Sequence, residues 1–195
     1  DLLTASSHKI YGPKGAALLY KRRGVAIEPL LYGGGHESGL RSSTVNIPAV
    51  VGFAKAAEIM HKTAERENSR LAKLRDYAID EILRKIPESH LNGHPAKRLA
   101  NNINVRFDFV EGESLLMELD ARGIAVSTAS ACSSPKLEPS HVLLACGIKP
   151  EEAHGSLRIS LGRFTTVQEI KTLLAALPEA VGKLRKMSPF KIKEK

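Results

Sequence analysis

Four places in the sequence combine residue types that can do chemistry. The first is Ser6-Ser7-His8-Lys9, followed by Gly12-Pro13-Lys14-Gly15. A lysine beside another cation, or partly buried, becomes a neutral amine more easily and can then form a Schiff base. Ser6 and His8 offer donors suited to a phosphate oxygen, and the glycines let the backbone pass close to a planar group. A basic surface loop is the plainer reading of the same residues. The second place is Gly33 to Thr44, where small donors, Arg41, Ser42, Ser43 and Thr44 make an anion cradle or, equally, a glycine-rich surface loop.

The third is Ser130-Ala131-Cys132-Ser133-Ser134. Cys132 has no large apolar neighbour, so accessibility is expected, and a nucleophilic thiolate needs access. Cys146 follows Val142, Leu143 and Leu144 and is expected to be a core residue, as free cysteines usually are. The fourth is Arg158, within Ser156-Leu157-Arg158-Ile159-Ser160-Leu161. Period-two alternation puts Leu157, Ile159 and Leu161 on one face and Ser156, Arg158 and Ser160 on the other. A guanidinium among small residues on a rigid strand suits bidentate capture of a carboxylate; a strand-surface ion pair is the alternative. Arg163, just past the strand, is a second candidate for that role.

The elements that must position these residues read as alternating strands and helices. Ala16 to Tyr20 is a short apolar run, expected to be a buried strand. From Pro48 to about Ile86 the apolar residues recur at helical spacing, and Pro87 ends the pattern. Ile103 to Phe107 alternates as a strand. Gly112 to Arg122 is helical, with Leu115, Leu116 and Leu119 on one face and Gly123 as the stop. Ile124 to Ser127 is a short strand, and Pro139 to Cys146 a helix with proline in its first turn. Thr166 and Glu169 have capping-box spacing and open an amphipathic helix, expected to be interrupted or kinked near Pro178. From about Asn46 onward this order describes an α/β domain with flanking helices. Residues 1–45 cannot bury a core alone and read as a strip of a larger domain.

Composition narrows the classes. The chain has 195 residues, 43% of them hydrophobic, and a net charge of +8. No apolar run approaches the roughly 20 residues that span a bilayer. The basic residues are interleaved with acids along helical stretches or gathered from Lys183 to Lys195, without aromatic stacking partners, so nucleic-acid binding is not expected. Two cysteines in unlike contexts make no disulfide framework, and with no export signal at Asp1 a cytoplasmic location is expected.

Taken together, four ordered stretches resemble the cysteine desulfurases of the NifS and IscS type, within the class V aminotransferase group. They are Ser7 to Gly15, Gly33 to Thr44, Ser130 to Leu143 and Ser156 to Thr165. The resemblance implies a fold-type I enzyme of pyridoxal 5'-phosphate, with residues 1–45 ending the large cofactor domain and 46–195 forming the small C-terminal α/β domain. It implies that Lys9 carries the cofactor, that Ser6 and His8 hold its phosphate, and that Thr44 reaches the partner's phosphate across a homodimer. Arg158 is then the anchor for the carboxylate of L-cysteine. Cys132 takes the sulfur as a persulfide, leaving alanine, and passes it to an iron–sulfur scaffold protein of the IscU type. Selenocysteine as substrate, a transient iron–sulfur ligand role for Cys132, and a non-catalytic sulfur-carrier module are the rival readings; one cysteine cannot hold a cluster unaided. The family's first half, which supplies further cofactor contacts, does not precede Lys9 in this sequence.

Overall fold

The computed structural model describes residues 1–128 and 139–189. They form two compact units, one spanning residues 1–65 and the other beginning at Arg66. In the first unit β1 (Leu2–Ser6) pairs antiparallel with β2 (Ala17–Lys21), Ser6 opposite Ala17. A single 3-10 turn, Ser7–Ile10, follows β1. The long helix α1 (Ile47–Lys85) opens in this unit, and Ala16, Ala49 and Phe53 form its small core, flanked by Ala5 and Ile10.

The strand expected at Ala16 to Tyr20 is present, but it is not buried. Leu18 and Leu19, neighbours that point to opposite faces, are 45% and 49% exposed, and Leu2, Leu3 and Tyr20 are exposed as well. A two-stranded sheet has no interior strand, and the small core with α1 reaches only its Ala5 end; apolar composition identified the strand but not its surroundings.

The second unit is built on a four-stranded antiparallel sheet in the order β3-β4-β6-β5. Its strands are β3 (Ser89–Leu91), β4 (Asn102–Phe107), β5 (Ser127–Thr128) and β6 (Ser156–Ser160). Alternation works as expected: Ile103, Val105, Phe107, Leu157 and Ile159 are buried on one face. Against them pack the second half of α1, α2 (Gly112–Asp120) and α5 (Val167–Met187) in one continuous core. The opposite face carries Asn104, Arg106, Ser156 and Arg158. Two short helices, α3 (His141–Ala145) and α4 (Pro150–Ala153), precede β6. Leu157 is fully buried at the middle of this core. Leu157→Ala should lower unfolding free energy by about 2–5 kcal/mol, read as a reduced urea midpoint.

Three expectations about these helices can be settled. The capping box is present: the Thr166 side chain accepts from the Glu169 N–H, and the Glu169 carboxylate accepts from the Thr166 N–H at 2.7 Å. That backbone hydrogen bond, then the Thr166 hydroxyl, holds the Glu169 carboxyl below the usual carboxylate range. A depressed acid favours the folded state above its unfolded pKa, and that contribution is lost as pH falls through the folded value. Glu169 should therefore titrate below an ordinary glutamate in an NMR pH series, and the first turn of α5 should loosen only in acid.

Pro178, in contrast, does not interrupt α5, which runs through it to Met187. The missing N–H removes one helical bond, but Leu174, Leu177, Ala180 and Val181 are buried on either side and hold the helix against the core. Cys146 also departs from expectation, because it is exposed. Helix α3 is only five residues long, and of its apolar residues only Leu143 is buried. Three consecutive apolar residues cannot share one face of a helix, so Val142, Leu144 and Cys146 turn outward.

Candidate functional site

In the first unit the turn bearing His8 and Lys9 is fixed at both ends. The Ser7 N–H donates to the Ala16 carbonyl at 3.0 Å and the Gly12 N–H to the Ser7 carbonyl at 3.0 Å. Tyr11 closes the turn in the left-handed region, at φ 67°. Gly12 is required by space, since a Cβ there would run into the Ser7 side chain and crowd Ala56. Ser7 is buried, whereas His8 and Lys9 are exposed and Ser6 is half-buried. The strand end and turn thus anchor Ser7 inward and present an imidazole and an amine outward.

The Gly33–Thr44 segment also belongs to this unit. A 3-10 turn spans His36–Gly39, with Glu37, Ser38 and Gly39 all at positive φ. The Ser42 hydroxyl donates to the Gly34 carbonyl at 2.6 Å and closes the loop on itself. Arg41 and Thr44 remain exposed.

In the second unit Arg158 stands in the middle of β6, across from Asn104 on β4 and Ser127 on β5. Strands on both sides fix its backbone. Its side chain is half-buried, and its Nε is buried with no hydrogen-bond partner among the described residues. A buried donor left unmet costs about 1–3 kcal/mol, and Arg106 Nε on the neighbouring strand is in the same condition. The loop after β6 is held from α1: Arg70 donates to the carbonyls of Thr165 at 2.7 Å, Arg163 at 2.8 Å and Gly162 at 3.2 Å. Cys132 lies outside the described residues.

Sequence reading missed the polar side chains around Arg158. Arg106 donates to Asn92 at 3.1 Å and pairs with Glu152 at 3.4 Å, while Asn92 donates to Asn104 at 2.8 Å and to Ser156 at 3.0 Å. The signal was there in the outward positions of β4, where asparagines and an arginine interleave with Ile103, Val105 and Phe107.

Elsewhere in the unit a cavity of about 780 Å³ is lined by His90, Asp108, Glu111, His154 and Met187, among others. None of the expected site residues among the described ones lines it. Glu88, His90 and Asp108 bring ligand atoms within 4.8 Å of one another. The guanidinium of Arg185, bonded to the main-chain carbonyls of Asp108 and Glu88 at 3.1 Å each, already sets a cation beside them.

This fold and this order of segments match a known family. The chain belongs to the aminotransferase class-V family, whose model matches residues 1–173. Within it, the chain is similar to cysteine desulfurase IscS 1 of Archaeoglobus fulgidus, 57% identical over 190 residues, covering 97% of this chain and 50% of that protein. It is 54% identical over 194 residues to cysteine desulfurase IscS of Methanosarcina thermophila, covering 100% of this chain and 48% of the relative. Among solved structures it resembles a NifS-like protein, with TM-score 0.84 and 34% identity over 94% of this chain and 47% of that one. The chain therefore spans about half the length of the curated relatives it matches.

Proposed function

We propose that this chain is the part of a cysteine desulfurase that carries the cofactor lysine, the substrate arginine and the sulfur-accepting cysteine. One observation carries the reading: 57% identity over 97% of the chain to a protein named as a cysteine desulfurase, a span that includes Lys9, Cys132 and Arg158.

The donor set fits pyridoxal 5'-phosphate. Lys9 and His8 project from one turn with Ser6 at its entrance, an amine for the aldehyde carbon and two donors for the phosphate. Thr44 is the donor offered to the phosphate of a second subunit in a homodimer. When bound, the cofactor supplies an electron sink. The rest is done by the chain's own groups. Arg158 holds the carboxylate of L-cysteine and so sets the direction of its side chain. Lys9 Nζ takes and returns the proton at the substrate's Cα. The Cys132 thiolate attacks the substrate sulfur, so that an S–S bond forms as the Cβ–Sγ bond breaks. The carbon keeps the electron pair, collects a proton and leaves as alanine, while Cys132 retains the sulfur as a persulfide. No outside oxidant or reductant enters the balance. An iron–sulfur scaffold protein of the IscU type is the acceptor that fits this chemistry.

The test is borohydride reduction in the presence of pyridoxal 5'-phosphate, followed by peptide mapping. It is run on this chain alone and on the chain assembled with the first half of the Archaeoglobus fulgidus relative. Label on Lys9 alone in the assembled pair is expected. Label scattered over many lysines in both samples would leave a non-catalytic sulfur-carrier module instead.

A further inference from the structure

We infer that Asn104 is a second donor to the substrate carboxylate, held in its donating orientation by a relay from Arg106 through Asn92. The inference rests on the assignment of Arg158 as the carboxylate anchor.

The orientation follows from what each group is able to do. A guanidinium only donates, so the Asn92 amide must turn its Oδ1 toward Arg106, at 3.1 Å. Its Nδ2 then faces Asn104 and Ser156. Asn104 must answer with Oδ1, which leaves its own Nδ2 with no acceptor among the described residues. Asn92 is 4% exposed and Ser156 1%, so water is kept from the Asn92 end of the pair, while Asn104 is half-buried. A flip of Asn104 would set N–H against N–H at the buried Asn92 end. Glu152 holds the far end of the relay through Arg106.

Arg158 is the cross-strand neighbour of Asn104, and such neighbours on one face stand about 4.5–5.5 Å apart at Cβ. Arg158 Nε is buried with no partner among the described residues, as is Arg106 Nε on the same face. Among the described residues, the sheet therefore sets Asn104 across from Arg158 and supplies no acceptor to the Asn104 Nδ2 or the Arg158 Nε. Two adjacent donors match the two oxygens of one carboxylate. The ligand class is an α-amino acid recognised by its carboxylate.

Asn104→Ala in the assembled, cofactor-loaded enzyme should raise KM for L-cysteine about tenfold and leave kcat within about twofold, the pattern of lost uniform binding. Asn104→Asp places a carboxylate across from Arg158. It should keep or raise the melting temperature while raising KM at least as far as the alanine variant. An arginine-selective 15N spectrum of the 195-residue chain should show the Arg158 Nε–H signal shifted in Asn104→Asp. A merely structural asparagine would instead lose stability and kcat together with KM unchanged, and that result overturns the inference. If Arg158→Ala raises KM but neither Asn104 variant does, this inference fails and the anchor stands. If Arg158→Ala leaves KM unchanged, the anchor reading itself fails.

Discussion

Arg158→Met is expected to lower kcat/KM for L-cysteine by about 10²–10³-fold without weakening the fold. Truncating one partner of a desolvated, hydrogen-bonded charge pair costs about 2–5 kcal/mol, and each 1.4 kcal/mol is a factor of ten. The fold, however, gains from the change. Arg158 keeps a buried Nε with no described partner, and replacing an unmet donor by an unbranched apolar chain removes a penalty of about 1–3 kcal/mol. Activity and stability should therefore move in opposite directions, read by steady-state kinetics and by the urea midpoint. Loss of both together would mean that Arg158 serves the sheet and not the substrate.

Cys132→Ala is expected to abolish persulfide formation, with sulfur transfer reduced by at least about 10³-fold, as for loss of a covalent nucleophile. Lys9 should still be labelled by the cofactor in that variant, because it does not depend on the thiol. Cys146 makes the necessary control. It is the chain's other cysteine and it is exposed, so it can collect sulfur without being the acceptor. Cys146→Ala should retain transfer. If the Cys132 variant transfers sulfur at the normal rate and the Cys146 variant does not, the roles are reversed.

Much of the fold was legible because its signals are local. The apolar spacing of α1, the capping box of Thr166 and Glu169, and the alternation in β4 and β6 each involve residues a few positions apart, and each appears where expected. The failures share a cause too. Whether β2 is buried depends on what covers it, and the strand's own residues cannot say. Cys146 sits in an apolar run, but helix α3 is too short to bury more than one residue of it. Pro178 is carried by the burial of residues on both sides, a tertiary effect that overrides local propensity.

The candidate site divides in the same way. Lys9, Cys132 and Arg158 announce themselves by type and setting. The relay through Asn92 and Asn104 does not, since its hydrogen bonds join residues 12 and 64 positions apart. Only the register that sets Asn104 opposite Arg158 brings the two residues together.

Whether Cys132 receives the sulfur is read directly by mass analysis of cysteine peptides after the assembled, cofactor-loaded enzyme has turned over L-cysteine, with alanine measured in the same sample. Alanine is expected together with a single added sulfur on the peptide containing Cys132. Alanine with no added sulfur on Cys132, or with the sulfur on Cys146 alone, would contradict that expectation.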